Sequence, residues 1–172
     1  SKLILGHPIA GSEKTGADAA RADLFNKHRV ILTPLSLNNK DSIEIVAGIW
    51  REFGAEVVEM SVDDHDEFLS ATSHLPHVLA YNLVNVLSGR SDGKKIFDYA
   101  AGGFSDFTRI AGSDPTMWRD ISLANRKQLL RSIDDFSSDL DHLRLAIEQN
   151  DANSLLDIFA RAKKTRDSFS EI

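Results

Sequence analysis

The chain has 172 residues, 42% of them hydrophobic, with 20 Lys+Arg against 26 Asp+Glu, a formal charge of -6 and no cysteine. That suffices for one ordinary domain with a real core, or for one domain and part of another; it excludes disulfides, thiolate catalysis and Cys-ligated zinc. No dense basic run suggests a nucleic-acid surface, no apolar run approaches the roughly 20 residues that span a bilayer, and the first residues are too short in their apolar part for a secretory signal, so a soluble, cytoplasmic protein is expected.

"KLIL" (2–5) reads as a buried strand and "HRVILTP" (28–34) as another, each a short apolar run closed by Pro; "ADAARADLF" (17–25) between them has helical character. "DSIEIVAGIWREFG" (41–54) carries an Asp cap, Glu44 three residues on, apolar residues at 43, 46, 49, 50 and 53, and a terminal Gly, which predicts an amphipathic helix. "AEVVEM" (55–60) follows as a strand. The order strand, helix, strand, helix, strand over residues 1–60 is an α/β pattern. Three β-segments are few for an independent sheet of this kind, so the chain is expected to begin inside a larger domain.

From residue 61 onward helical periodicity takes over. Residues 61–89 open with a Ser-x-x-Asp cap, close on Gly89 and carry Pro76 inside, which should bend or break the helix. Residues 90–104 read as Gly-rich loop around a short helix. Asp114 and Pro115 then launch a helix expected to run to about residue 149, with apolar positions 129, 133, 136, 140, 143 and 147, and a last helix covers 152–168. The fold expectation is therefore mixed: a short α/β portion over 1–60, then an all-α portion over 61–172.

Several polar residues invite chemistry. His7 closes the first strand, where a parallel sheet opens its ligand crevice; a neutral imidazole there can accept a proton, although a solvated strand-end histidine explains it equally. His74 and His77 lie three apart on one helix with His65 upstream, but without a third and fourth ligand at metal spacing they point to polar roles, and no metal is expected. In "AGGFSDFTRIAGSDPTMWRDI" (101–121), Gly102 and Gly103 allow close approach of backbone to a ligand, Arg109 offers a fork for a carboxylate and Trp118 a flat wall. The alternative is a structural loop in which Arg109 pairs with Asp106 or Asp114 and Trp118 is core.

"GHPIAGSEKTG", "LFNKHRVILTP", "SHLPHVLAYNLVN" and "GGFSDFTRIAGSDPTMWRDI", in this order between about residues 3 and 168, resemble the prephenate dehydrogenase family, which includes the arogenate and cyclohexadienyl dehydrogenases of tyrosine biosynthesis. The resemblance implies the end of a Rossmann-type nucleotide-binding domain over 1–60 and a helical substrate-binding and dimerisation domain over 61–172. It implies NAD or NADP as cofactor, prephenate or arogenate as substrate, and a homodimer. It makes His7 the catalytic base, assigns His77 and Arg109 to substrate carboxylate, and sets Trp118, Gly102 and Gly103 around the substrate side chain. Glu13, His65 and His74 match family positions of supporting character, although Ser105 stands where a lysine partner for Glu13 would be. No Gly-x-Gly-x-x-Gly occurs, so cofactor-binding residues are not identified and the chain alone is expected to be inactive, acting when isolated as a helical dimerisation module. A native fusion to the shikimate-pathway enolpyruvyl transferase is a further expectation of the resemblance.

Overall fold

A computed structural model describes residues 3–11, 16 and 20–169. Three strands form one sheet: β1 (Leu5–Ile9), β2 (Arg29–Thr33) and β3 (Glu56–Glu59), in the order β1-β2-β3. β2 and β3 run parallel, linked by α1 (Lys40–Glu52), whereas β1 is antiparallel to β2 with Gly6 opposite Leu32, His7 opposite Ile31 and Pro8 opposite Val30.

This corrects two expectations. The first strand lies later than residues 2–5, because the register is set by β2 while the Asn38 side chain takes up the Leu3 carbonyl at 2.8 Å. The expected helix over 17–25 is a run of turns across 22–27, residues 17–19 lying outside those described. An antiparallel neighbour needs no helical crossover, and i to i+3 bonds such as Asn26 N–H to Asp23 C=O (3.1 Å) close the connection instead.

β2 is the central strand, with Val30, Ile31 and Leu32 all buried. Val30 and Leu32 meet Ala47 and Ala55, with Phe25, Ile43, Val46 and Trp50 packed around them; the Phe25 and Trp50 rings meet edge to face at 5.1 Å. The cap of α1 is Asn39, whose side chain accepts from Ser42 N–H at 2.8 Å, so Asp41 falls in the first turn. Gly54, at φ +80, turns the chain into β3; a Cβ there would lie 2.7 Å from Asn26 Oδ1. Strand side chains alternate, so Ile31 and its partner His7 occupy the face opposite the one packed by α1.

The remainder is helical. Ser61 caps α2 (Val62–Leu69), accepting from Asp64 N–H at 3.0 Å, and α2 packs against β2. Pro76 does not break the helix: a π-helical turn (Ser70–His74) joins α2 to α3 (Leu75–Ser88), and Pro76 sits in the first turn of α3, where its missing N–H costs little. α4 (Gly93–Asp98), α5 (Gly102–Thr108) and a 3₁₀ turn (Arg109–Gly112) pack on α3. Asp114 then caps α6 (Pro115–Ala124).

The single helix expected from 115 to 149 is two, because Asn125 leaves helical geometry between α6 and α7 (Arg126–Glu148). The side chain of Asn125 is buried and its Nδ2 donates to the Asp66 carbonyl at 2.7 Å. α8 (Ala152–Phe169) ends the described chain. The molecule divides into two compact units, residues 1–129 and 130–172; the second holds most of α7 and all of α8 and exposes Phe136, Leu140, Ile147, Leu156 and Phe159. Among the described residues no helix is long and apolar enough to cross a membrane.

Candidate functional site

Within the first unit, β1, the π turn, α3, the 3₁₀ turn and α6 enclose a cleft of about 740 Å³, a size that suits a small organic ligand. His7, Pro8, Ile9, Ala10 and Gly11 form one wall. Thr72, Ser73 and His77 stand on another, and Arg109, Ser113, Met117 and Trp118 complete it. Four of the residues singled out in the sequence, His7, His77, Arg109 and Trp118, thus meet at one cavity although more than a hundred positions separate the first from the last.

His7 is brought there by an antiparallel edge strand and lies in its middle, so the carboxyl-end rule for parallel sheets is not what places it. The register does, by turning its side chain toward α2. Pro8 is tolerated because β1 is an edge strand, where a missing N–H need not cost a ladder bond. His7 Nδ1 lies 2.9 Å from His65 Nε2, and burial, followed by the neighbouring His65, holds the His7 pKa below the ordinary histidine value of 6.5. A neutral imidazole at neutral pH is the consequence, the form that can take a proton.

His77 donates from Nδ1 to the Ser73 carbonyl at 2.8 Å, a bond that fixes its tautomer and leaves Nε2 for a ligand. Its ring stacks on Trp118 with centroids 3.6 Å apart and planes 19° from parallel. Trp118 is 9% exposed, and its indole Nε1 is buried with no hydrogen-bond partner among the described residues. Both readings of Trp118 therefore hold at once: it is core and it is wall. Arg109 opens the 3₁₀ turn and is exposed at the cleft, while Asp114 spends its Oδ1 on the Thr116 and Met117 N–H groups as the α6 cap.

His65 and His74 stand behind the wall. His65 touches His7 on one side and Asp66 Oδ1 on the other, at 2.9 Å. His74 is buried beside Trp118, 3.3 Å from Asn125 Nδ2, with its pKa lowered, first by burial and then by His65. Among the described residues no three His, Asp or Glu side chains converge as metal donors. Gly102 and Gly103 open α5 and are not on the cleft wall. Glu13 lies outside the described residues.

Sequence reasoning missed His28, Thr72, Ser73, Ser113 and Met117 on the wall, and Asp66 and Asn125 behind it. His28 follows from register alone: Ile9 pairs with Arg29, which puts the residue before β2 beside Ala10 and Gly11. Nothing local marks the others.

Residues 61–161 match the family model for the prephenate dehydrogenase dimerization domain, and residues 1–59 that for the prephenate dehydrogenase nucleotide-binding domain. Cyclohexadienyl dehydrogenase of Zymomonas mobilis is 43% identical over 166 residues, 95% of this chain and 57% of that protein. Prephenate dehydrogenase of Bacillus subtilis is 40% identical over 96% of this chain and 45% of its own length. Among solved structures, prephenate dehydrogenase from Aquifex aeolicus in complex with hydroxyphenyl propionate and NAD+ superposes with a TM-score of 0.91 at 38% identity, covering 96% of this chain and 58% of that one. Synechocystis arogenate dehydrogenase gives 0.86 at 27% identity, over 98% of this chain and 62% of that one. The chain spans about half the length of the curated relatives it matches.

Proposed function

Because the chain belongs to the prephenate dehydrogenase family, we propose that it is the substrate-side part of an NAD- or NADP-dependent enzyme that oxidatively decarboxylates prephenate or arogenate. The observation that carries this reading is the convergence of His7, His77 and Arg109 on one cleft, a neutral base facing two groups able to hold carboxylate.

The reaction removes a hydride from the ring carbon bearing the hydroxyl, the proton of that hydroxyl, and the ring carboxylate as carbon dioxide; the electrons of the broken carbon–carbon bond complete the aromatic ring. When bound, the nicotinamide supplies the hydride acceptor. His7 takes the hydroxyl proton and returns it to the phenolic oxygen of the product, so the base is regenerated and no net proton is released. Arg109 presents a guanidinium fork to a carboxylate, and His77, with Nδ1 committed to Ser73, meets one only through Nε2 in its protonated form. Trp118, stacked on His77, supplies a flat wall for the substrate side chain. His74, buried beside Trp118, belongs to this reading as a supporting element behind the pocket.

For the cofactor, the fit is partial. The cleft beside His7 suits the reacting end, but these 172 residues contain no Gly-x-Gly-x-x-Gly to cradle a pyrophosphate. We therefore assign 1–60 to the nucleotide-binding domain and 61–172 to the helical domain, and expect the chain alone to dimerise without turnover. The exposed Phe136, Leu140, Ile147, Leu156 and Phe159 support a homodimer formed through α7 and α8.

The test is a dehydrogenase assay on the full-length gene product with prephenate and arogenate, each against NAD and NADP. Turnover with either substrate is expected; a folded, nucleotide-binding dimer inactive on all four pairs overturns the assignment.

A further inference from the structure

Resting on the proposed role of His7 as base, a question remains about which of its nitrogens is bare. A neutral imidazole carries one N–H and one lone pair, and only the lone pair can take a proton.

The contacts behind His7 answer this one atom at a time. An ionised carboxylate has only acceptors, so the 2.9 Å contact between Asp66 Oδ1 and His65 Nδ1 places the His65 proton on Nδ1. Neutral His65 then has a bare Nε2. That nitrogen lies 2.9 Å from His7 Nδ1, and two lone pairs cannot face each other at that distance, so His7 Nδ1 carries its proton. His7 Nε2 is left bare. The opposite order would set an acceptor against the Asp66 carboxylate.

The relay is also anchored. Its two ends belong to different elements, β1 and α2, 58 residues apart. Asn125 Nδ2, from the junction of α6 and α7, holds the Asp66 backbone carbonyl at 2.7 Å, and Ser61 caps the helix that carries both His65 and Asp66. The His65 side chain is 19% exposed, so water competes little for its ring nitrogens, whereas Asp66 at 41% keeps solvent on its outer side.

We propose that Asp66 and His65 are positioning residues that set the tautomer of His7, with Asp66 orienting His65 and His65 accepting from His7 Nδ1, so that His7 Nε2 is the atom presented to the substrate hydroxyl. Neither residue touches substrate; both act through His7.

The experiment uses the full-length enzyme labelled with ¹⁵N-histidine at about pH 8, where imidazoles are neutral. Two-bond ¹⁵N–¹H correlation spectra show which ring nitrogen is protonated, and the His7 signals are identified by their loss in His7→Asn. In the wild type, His7 and His65 are both expected to carry the proton on Nδ1. Asp66→Ala removes the acceptor that holds the His65 proton on Nδ1, so the His7 proton should spread over Nδ1 and Nε2, and kcat should fall in step with the fraction of His7 that gains a proton on Nε2, KM changing little. In a His65→Leu background, where nothing links Asp66 to His7, adding Asp66→Ala should lower kcat no further. A wild-type His7 protonated on Nε2, an Asp66→Ala enzyme with unchanged kcat, or a loss of kcat while His7 keeps its Nδ1 proton would each overturn the relay. The spectra need no substrate. A protein inactive on prephenate and arogenate whose His7 nonetheless loses its fixed Nδ1 proton in Asp66→Ala supports the relay and sinks only the activity on which it was built.

Discussion

Replacing His7 by Asn separates chemistry from architecture at the cleft. His7 stands on an edge strand with its ring only partly covered, so truncating it loses little packing, and the Asn amide can still donate to His65 Nε2. The partner Ile31, on the central strand β2, is buried and keeps its backbone pairing with β1. Stability should therefore stay within about 0.5 kcal/mol of the parent. What disappears is the proton acceptor, since an amide oxygen is far too weak a base for a hydroxyl proton. A positioned general base contributes about 10²–10⁴-fold, equivalent to about 3–5 kcal/mol of barrier. Steady-state kinetics on the full-length enzyme should then show kcat lowered by that factor and KM changed little, with an unaltered thermal midpoint. Retention of more than about a tenth of kcat would remove His7 from the base role, and a matching rise in KM would recast it as a binding residue.

Arg109→Ala should raise KM by about 10- to 150-fold, the worth of a charge-assisted bond of about 1.5–3 kcal/mol, with kcat much less affected; equal losses in both would contradict a ground-state clamp. Because burial and His65 lower the His7 pKa, the acid limb of kcat/KM should be centred below 6.5; an acid limb centred above 6.5 would count against His7. The same shift has a stability sign: the unfolded chain takes up protons on His7 and His74 before the folded one, so stability is full above 6.5 and is lost as pH drops through the lowered folded values, visible in denaturant melts. Asn125→Ala should cost about 1–3 kcal/mol, since it strips a donor from the Asp66 carbonyl and a partner from buried His74, and should also slow turnover; a stable, fully active variant would show that the junction does not hold the relay.

What was legible in the sequence is what local signals encode. The apolar run of β2, the Ser61 and Asp114 caps, Pro115 at the start of α6 and the turn at Gly54 were all readable, because each is settled by neighbours a few residues away. The chemistry-bearing types at His7, His77, Arg109 and Trp118 were equally visible, and the motif resemblance groups them.

The sequence by itself determined where elements start, which face of each is apolar, and which side chains are capable of base, clamp or wall. Only the tertiary structure decided that β1 runs antiparallel, that turns replace a helix before β2, that the π turn absorbs Pro76, and that Asn125 splits one helix into two. It alone revealed His65 and Asp66 behind His7. The reason is distance along the chain: the bonds from His7 to His65 and from Asn125 to Asp66 span 58 and 59 residues, and no local propensity encodes a partner that the fold has yet to bring near.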